Sequence, residues 1–152
     1  MKYRGFEVVK DSMRKTEGEV KLPVRGSKHA ACYDFYAPYD ITIPAHGKTG
    51  IIPTDVKAFM LHDEVLLLFV RSSIGIKKNL VLSNGTGIVD ADYFSNPDND
   101  GNIGFALRNE SDKEVTIQKG ERVVQGMFVK YLVATNDVNM GERTGGYGSS
   151  GK

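Results

Sequence analysis

The run LLLFV at residues 66–70 is apolar at every position, and Arg71 closes it. A strand with no polar face is one covered on both sides, as in a sandwich or at a subunit contact. Outward from this run, 17 glycines and 5 prolines punctuate short segments rich in Val, Ile, Leu, Phe and Tyr. Long helical periodicity is hard to find. The chain therefore reads as all-β, with strands predicted at 6–9, 32–36, 40–43, 50–60, 64–71, 80–82, 87–91, 103–109, 114–117 and 123–133. SSIGIKKN at 72–79 predicts one short helix, with serine as its cap and two lysines near its far end, where they complement the dipole. Asn84-Gly85 marks a tight turn between two apolar runs.

The chain has 152 residues, 40% of them apolar, which suits one compact domain and is too short for two ordinary ones. We read 1–142 as that domain and 143–152 as an appendage. Twenty basic residues against nineteen acidic ones leave a formal net charge of +1. That balance argues against a broad nucleic-acid or membrane surface, so anion binding has to be local. Cys32 is the only cysteine, which rules out an intrachain disulfide framework and suits a reducing compartment. The start MKYRGFEVVK lacks the apolar run of a signal peptide, and no stretch approaches membrane-spanning length. A cytoplasmic location is expected, the host cytoplasm if the chain is viral.

Five segments carry candidate chemistry. AACYDFYAP at 30–38 sets Asp34 among aromatics on a predicted strand, where it is either a water-orienting acid near a divalent cation or a solvated strand-edge charge. RSSIG at 71–75 offers Arg71, the hydroxyls of Ser72 and Ser73 and the backbone N–H groups of a helix start, a set suited to phosphate or to plain capping. NGTGIVDADYFS at 84–95, read as a hairpin, places Asp90 and Asp92 two apart, on one strand face unless the strand is already turning into the loop. A carboxylate near a triphosphate is repelled and has a use there only if it orients or deprotonates water; otherwise the segment is a polar loop. KGERVVQGMF at 119–128 is a turn into a strand, with Gln125 able to donate an amide hydrogen to phosphate and Glu121 and Arg122 able to pair. The final RTGGYGSSGK at 143–152 adds little to a core and suits a mobile flap bearing one guanidinium and one aromatic ring.

In this order and at these spacings the five segments resemble the five motifs of the trimeric dUTPases, over about residues 22–151. GIVDADY, the LxN strand end at 107–109, GERVxQ and GGYGSSG carry the resemblance. It implies a jelly-roll-like β-barrel and a homotrimer whose active sites are shared between subunits. It also implies Mg²⁺-assisted hydrolysis of dUTP to dUMP and diphosphate. By position, Asp90 is similar to the aspartate that orients the water attacking the α-phosphorus, and Tyr93 to the tyrosine that packs on deoxyribose and excludes a 2′-hydroxyl. Asn84, with backbone near Ile88 and Val89, matches the segment that reads uracil along its pairing edge. Arg71, Ser72, Ser73 and Gln125 match phosphate contacts, and Asp34 matches the acid that reaches Mg²⁺ through water. Arg143, Tyr147 and Gly148 match the flap, with the arginine over the γ-phosphate and the ring on the base.

The chain departs from that pattern at several places. Val70 stands for the usual proline, Ser73 for a glycine, Gly126 for a larger apolar residue and Tyr147 for phenylalanine. The largest departure is an insertion of about six residues after Tyr93, FSNPDND before Gly101, which we expect to be a solvated loop. A regulatory protein partner at 94–100 is the alternative. The insertion shifts to Gly104 the backbone position that closes on the base. A related dCTP deaminase would place a glutamate where Ala106 stands, three residues before Asn109. A nucleotide-switched binding protein would keep the pocket without needing turnover. His29, His46 and His62 fall outside ligand spacing and read as surface residues, and Asp92 as a structural partner near the site.

Overall fold

The computed structural model describes residues 1–138, 141–143 and 145–148. Thirteen strands and one helix are present among them. The strands are β1 (Gly5–Val8), β2 (Val24–Arg25), β3 (Tyr33–Tyr36), β4 (Ile41–Ile43), β5 (Ile52–Pro53), β6 (Val56–Phe59) and β7 (Glu64–Val70). After helix α1 (Ser72–Lys78) come β8 (Leu80–Leu82), β9 (Gly87–Asp90), β10 (Gly104–Phe105), β11 (Leu107–Asn109), β12 (Val115–Ile117) and β13 (Arg122–Lys130). All pairings are antiparallel: one five-stranded sheet ordered β2-β3-β13-β7-β9, and four two-stranded ladders, β1-β6, β10-β5, β11-β8 and β12-β4. The all-β expectation holds. Among the described residues, however, the ladders do not close into a barrel, because hydrogen bonding passes between short paired strands instead of around one continuous sheet.

The LLLFV strand is the middle of the large sheet. β7 pairs along seven residues with β13 and along four with β9. Its faces differ: Leu66 and Leu68 are buried at 0% and 3% exposure, whereas Val65, Leu67 and Phe69 are half-covered in the single chain. Leu68 is flanked in register by glycine on both sides, Gly126 of β13 and Gly87 of β9. A Cβ at Gly126 would lie 2.9 Å from the Leu68 side chain, and one at Gly87 would lie 2.8 Å from its Cβ. The small residue at 126 is thus matched by the leucine draped over it. Burying each such leucine contributes about 1.5–3 kcal/mol. Leu66 and Leu68 share one core with Phe35, Ile43, Leu80, Leu107 and Ile117, so every ladder except the half-exposed β2 edge is pinned to the same apolar centre.

Several local expectations are corrected. The strand predicted at 50–60 is two strands, broken at Thr54 and Asp55, where Asp55 takes the left-handed φ of +59°. The one at 103–109 divides at Ala106, and β2 was not anticipated. Asn84-Gly85 does turn the chain, with Gly85 at φ +74°, but its flanking strands pair elsewhere, β8 with β11 and β9 with β7. It is therefore not a hairpin. The helix matches its predicted place, yet no serine caps it: Arg71 is the N-cap residue and makes no side-chain cap bond, while Asn79 ends the helix in the left-handed conformation.

The insertion at 94–100 is not a solvated loop. Asn96 and Asp100 are buried at 3% and 5% exposure. Asp100 Oδ2 accepts from Lys57 Nζ at 2.9 Å and from the Lys10 backbone N–H at 2.8 Å. Phe94 packs edge-on to Phe59 with centroids 6.2 Å apart, and Lys57 Nζ lies 4.7 Å from the centre of its ring. Beside this anchor Asp55, fully buried, accepts from Lys15 and Thr16 backbone N–H groups, the Thr16 hydroxyl and Asn102 Nδ2 at 2.6–2.9 Å.

Burial alone would raise the Asp55 carboxyl above its ordinary value of 3.8, but the hydrogen bonds from Thr16, Lys15 and Asn102 outweigh it and hold the group lower. Asp100 shows the same balance, burial opposed by Lys57 and Lys10. A carboxyl depressed by folding stabilises the fold above its unfolded value and loses that stabilisation as pH falls through its folded value. Thermal unfolding is therefore expected to drop steeply below about pH 4. Asp55→Asn, which tolerates the same φ, should cost about 1–3 kcal/mol at pH 7 and flatten that acid limb. An unchanged acid limb in the variant would assign it to other groups.

Candidate active site

β9 is an edge strand of the large sheet, paired only with β7 among the described residues. Half of its backbone donors and acceptors therefore face away from the sheet and are open to a ligand. Beside this open edge lies a cleft of about 700 Å³. Its lining includes Asn84, Ile88, Val89, Asp90, Tyr93, Gly104, Arg143, Tyr147 and Gly148. The structure thus brings together nine of the fourteen residues singled out in the sequence. Ile88 stands exposed at 65%, while Val89 points inward at 8%.

Asp90 ends β9, opposite Val65, and caps the 3-10 turn Ala91–Tyr93, with its side chain 49% exposed. Arg143 reaches it across the cleft: Nη2 donates to Asp90 Oδ2 at 2.6 Å, and Nε lies 3.1 Å from Asp92 Oδ1. The guanidinium stands 5.6 Å from the centre of the Tyr93 ring. Tyr93 is only 7% exposed. Its hydroxyl donates to the Asn102 carbonyl at 3.0 Å and accepts from Asn99 Nδ2 at 2.6 Å. In this chain the flap arginine rests on two carboxylates, and Asp92 serves as its second partner.

Tyr147 sets its ring edge-on to Tyr93, with centroids 6.3 Å apart at 80°. Its hydroxyl lies over Gly104, where an added Cβ would meet it at 2.8 Å and Ile51 Cγ2 at 2.5 Å. Although Tyr147 as a whole is 59% exposed, its hydroxyl end is tucked over Gly104 beside Tyr93, and that burial, with the neighbouring Tyr93, pushes the hydroxyl pKa well up. Gly148 follows at φ +86°. Of the predicted flap, Thr144 and residues 149–152 lie outside the described residues.

The remaining five candidates, Asp34, Arg71, Ser72, Ser73 and Gln125, gather elsewhere, with Ser72 exposed at the helix start. Asp34 is 6% exposed on β3, its edge covered by Val24 of β2. Its two oxygens face Arg71 Nε at 3.3 Å and Arg122 Nη1 at 3.2 Å. Gln125 sits in register between Asp34 and Phe69 and donates Nε2 to the Val70 carbonyl at 3.3 Å. Arg71 and Ser73 open onto a cleft of about 640 Å³ that also holds Lys21, Lys77, Lys78 and Arg122. Five cations against Glu121 and the neighbouring Asp34 leave it net positive and suited to an anion such as phosphate.

Those extra cations were not legible as site residues. Lys77 and Lys78 read as complements to a helix dipole, and Arg122 as the partner of its neighbour Glu121. In the structure Arg122 pairs with Asp34, and Glu121 pairs with Lys78 at 3.4 Å. Glu121 ends the turn before β13 and reaches Lys78 of the helix, whereas Arg122 opens the strand beside β3 and reaches Asp34, which is why the neighbour pair does not form. The His46 ring pairs with the exposed Asp112, and His29 and His62 are exposed.

The two groups lie at opposite ends of β7. Asp90 is beside Val65 and Arg71 follows Val70. About six residues at roughly 3.3 Å each put them about 20 Å apart.

A family model described as dUTPase matches residues 18–151. Over 153 aligned residues the chain is 48% identical to the deoxyuridine 5'-triphosphate nucleotidohydrolase of Lactococcus lactis subsp. lactis, with 99% of each covered. It is similar to the crystal structure of dUTPase from Streptococcus mutans, with a TM-score of 0.75 and 43% identity over 86% of this chain and 98% of that one. A mutant dUTPase of phage phi11 of S. aureus, described for its coordination of a structural Mg(II) ion, shares the fold at TM-score 0.68 and 20% identity, covering 92% of this chain and 98% of that one. Likeness that runs the full length of the Lactococcus enzyme and takes in both clefts leaves one conclusion: this chain belongs to the dUTPase family.

Proposed function

We propose that the chain hydrolyses dUTP to dUMP and diphosphate at sites assembled from more than one copy, with Asp90 orienting the attacking water. The reaction follows from the family. The shared site rests on one observation, the roughly 20 Å of β7 between Asp90 and Arg71. A triphosphate is too short to bridge that span while its α-phosphorus sits at Asp90, so the basic cleft of a second copy has to supply the phosphate contacts. The half-covered face of β7, with Val65, Leu67 and Phe69, offers apolar surface for such an assembly, and a homotrimer is the closed form proposed.

In this reading uracil lies along the open edge of β9, between Asn84 and the backbone of Ile88 and Val89, with Gly104 closing from β10. The Tyr93 ring packs on deoxyribose. Arg143 leaves Asp90 for the γ-phosphate, freeing a carboxylate to accept a proton from water. The water oxygen bonds to the α-phosphorus, the bridging P–O bond breaks, and diphosphate leaves with the electron pair. Tyr147 stacks on the base. Arg71, Ser72, Ser73 and Gln125 hold phosphate oxygens.

Among the described residues no three His, Cys, Asp or Glu are grouped to hold a metal. Asp34, Asp90 and Asp92 are each paired with arginine, which leaves single carboxylate contacts. That donor set suits Mg²⁺ carried by the triphosphate, with Asp34 meeting its water shell. When bound, the ion neutralises phosphate charge. Ala106 lines the cleft where a deaminase would need a carboxylate. No helix among the described residues is long and apolar enough to cross a membrane, and the cytoplasm is the proposed location.

Pyrophosphate release should be observed with dUTP and not with dCTP, dTTP or UTP. Asp90→Asn should lower turnover by about a hundred- to ten-thousandfold while dUTP still binds; normal turnover would place the base elsewhere. Gly104→Ala, which meets Ile51 and the Tyr147 hydroxyl, should raise KM about tenfold, equivalent to ~1.4 kcal/mol of overpacking. Mixing inactive Arg71→Ala and Asp90→Asn proteins under conditions of subunit exchange should restore up to about a quarter of the activity, the share of sites drawing both intact groups. No recovery after verified exchange would mean that each site belongs to one chain.

A further inference from the structure

The hydroxyl of Tyr93 is held by the inserted segment, and that contact has no counterpart in the function just proposed. Asn99 Nδ2 donates to it at 2.6 Å, and it donates onward to the Asn102 carbonyl at 3.0 Å. The orientation of the Asn99 amide is determined by its other end, because Oδ1 accepts from the Gly101 backbone N–H at 3.0 Å and so leaves the NH₂ facing the tyrosine. Both partners are themselves anchored. Asn102 exchanges two bonds with buried Asp55, through Oδ1 to the Asp55 N–H at 2.9 Å and Nδ2 to Asp55 Oδ1 at 2.8 Å. Asn99 precedes Asp100, which Lys57 and the Lys10 backbone hold in place. A phenol fixed at its Cα and again at its oxygen cannot swing about χ1 without breaking a buried bond.

We propose that the 94–100 insertion is a brace for the Tyr93 ring and that Asn99 is a positioning residue for sugar discrimination. The inference rests on the reading that Tyr93 packs against deoxyribose. Excluding a 2′-hydroxyl by contact requires the ring to hold its place against one extra oxygen, and a ring free at its tip yields instead. Asn99 touches no substrate. It acts through the position of the ring.

The test compares kcat/KM for dUTP and UTP in the full-length protein carrying Asn99→Asp or Asn99→Ala, each in the Tyr93 and the Tyr93→Phe background. Asn99→Asp keeps the acceptor for Gly101 and puts a carboxylate oxygen where the donor stood. The Tyr93 hydroxyl, with one hydrogen, can turn to it only by releasing the Asn102 carbonyl, so the two-sided hold is lost while the turn is preserved if Asn99→Ala does not preserve it. Either change should lower the dUTP over UTP preference about three- to tenfold, the worth of one buried hydrogen bond. In the Tyr93→Phe background, which has no hydroxyl to hold, neither should lower it further. An unchanged preference, or the same loss in both backgrounds, would overturn the brace, since damage to the turn alone does not depend on the hydroxyl. Tyr93→Ala separates the two levels of the argument. Relaxed preference there with no effect of Asn99→Ala would sink the brace alone, whereas an unchanged preference in Tyr93→Ala would sink the deoxyribose assignment and the brace with it.

Discussion

The arrangement of this protein depends on the antiparallel ladder of β7, held by β13 on one side and β9 on the other. Leu68 sits at its centre with a glycine in register on each neighbour, which lets the three strands approach under one side chain. That packing sets β9 as the free edge and β13 as the bridge to Asp34. It also sets a distance. The two ends of one strand carry the two groups of candidate residues, and the length of β7 keeps them apart within a chain. On the function proposed, a fold that is complete as a core is incomplete as a site.

Each half holds its charges in a paired resting state. Arg71 and Arg122 share Asp34, and Arg143 bridges Asp90 and Asp92. Guanidinium groups placed on carboxylates are already oriented and partly desolvated, so a phosphate that takes them over replaces one anion with another and need not order a free side chain. The carboxylates released in the exchange are the groups assigned to water. In this sense the contacts seen in the structure and those proposed for the complex are alternatives on the same atoms.

Legibility in the sequence followed the range of the interaction. Alternation and turn residues marked most strands and the helix, because those signals are local. The break at Asp55 was hidden, since it depends on a carboxylate tied to Thr16 and Asn102, far away in the chain. The 94–100 segment read as solvated for the same reason: Asn, Pro and Asp are loop residues by composition, and only the contacts of Asp100 with Lys57 and Lys10 reveal an anchored one. Arg122 was misassigned because a neighbour in sequence was preferred to a partner across a strand.

What the sequence by itself determined is the class of fold, the family and the identity of the chemical groups, since apolar runs, glycine spacing and the order of the five motifs are written in one dimension. Only the tertiary structure decided which of those groups meet. It joined the β9 edge to Tyr147 and Arg143, parted Asp90 from Arg71, and turned an inserted loop toward the Tyr93 hydroxyl. Burial, register and the rise of a strand are properties of the packed chain, and no local pattern encodes a contact between residues that only a shared core brings together.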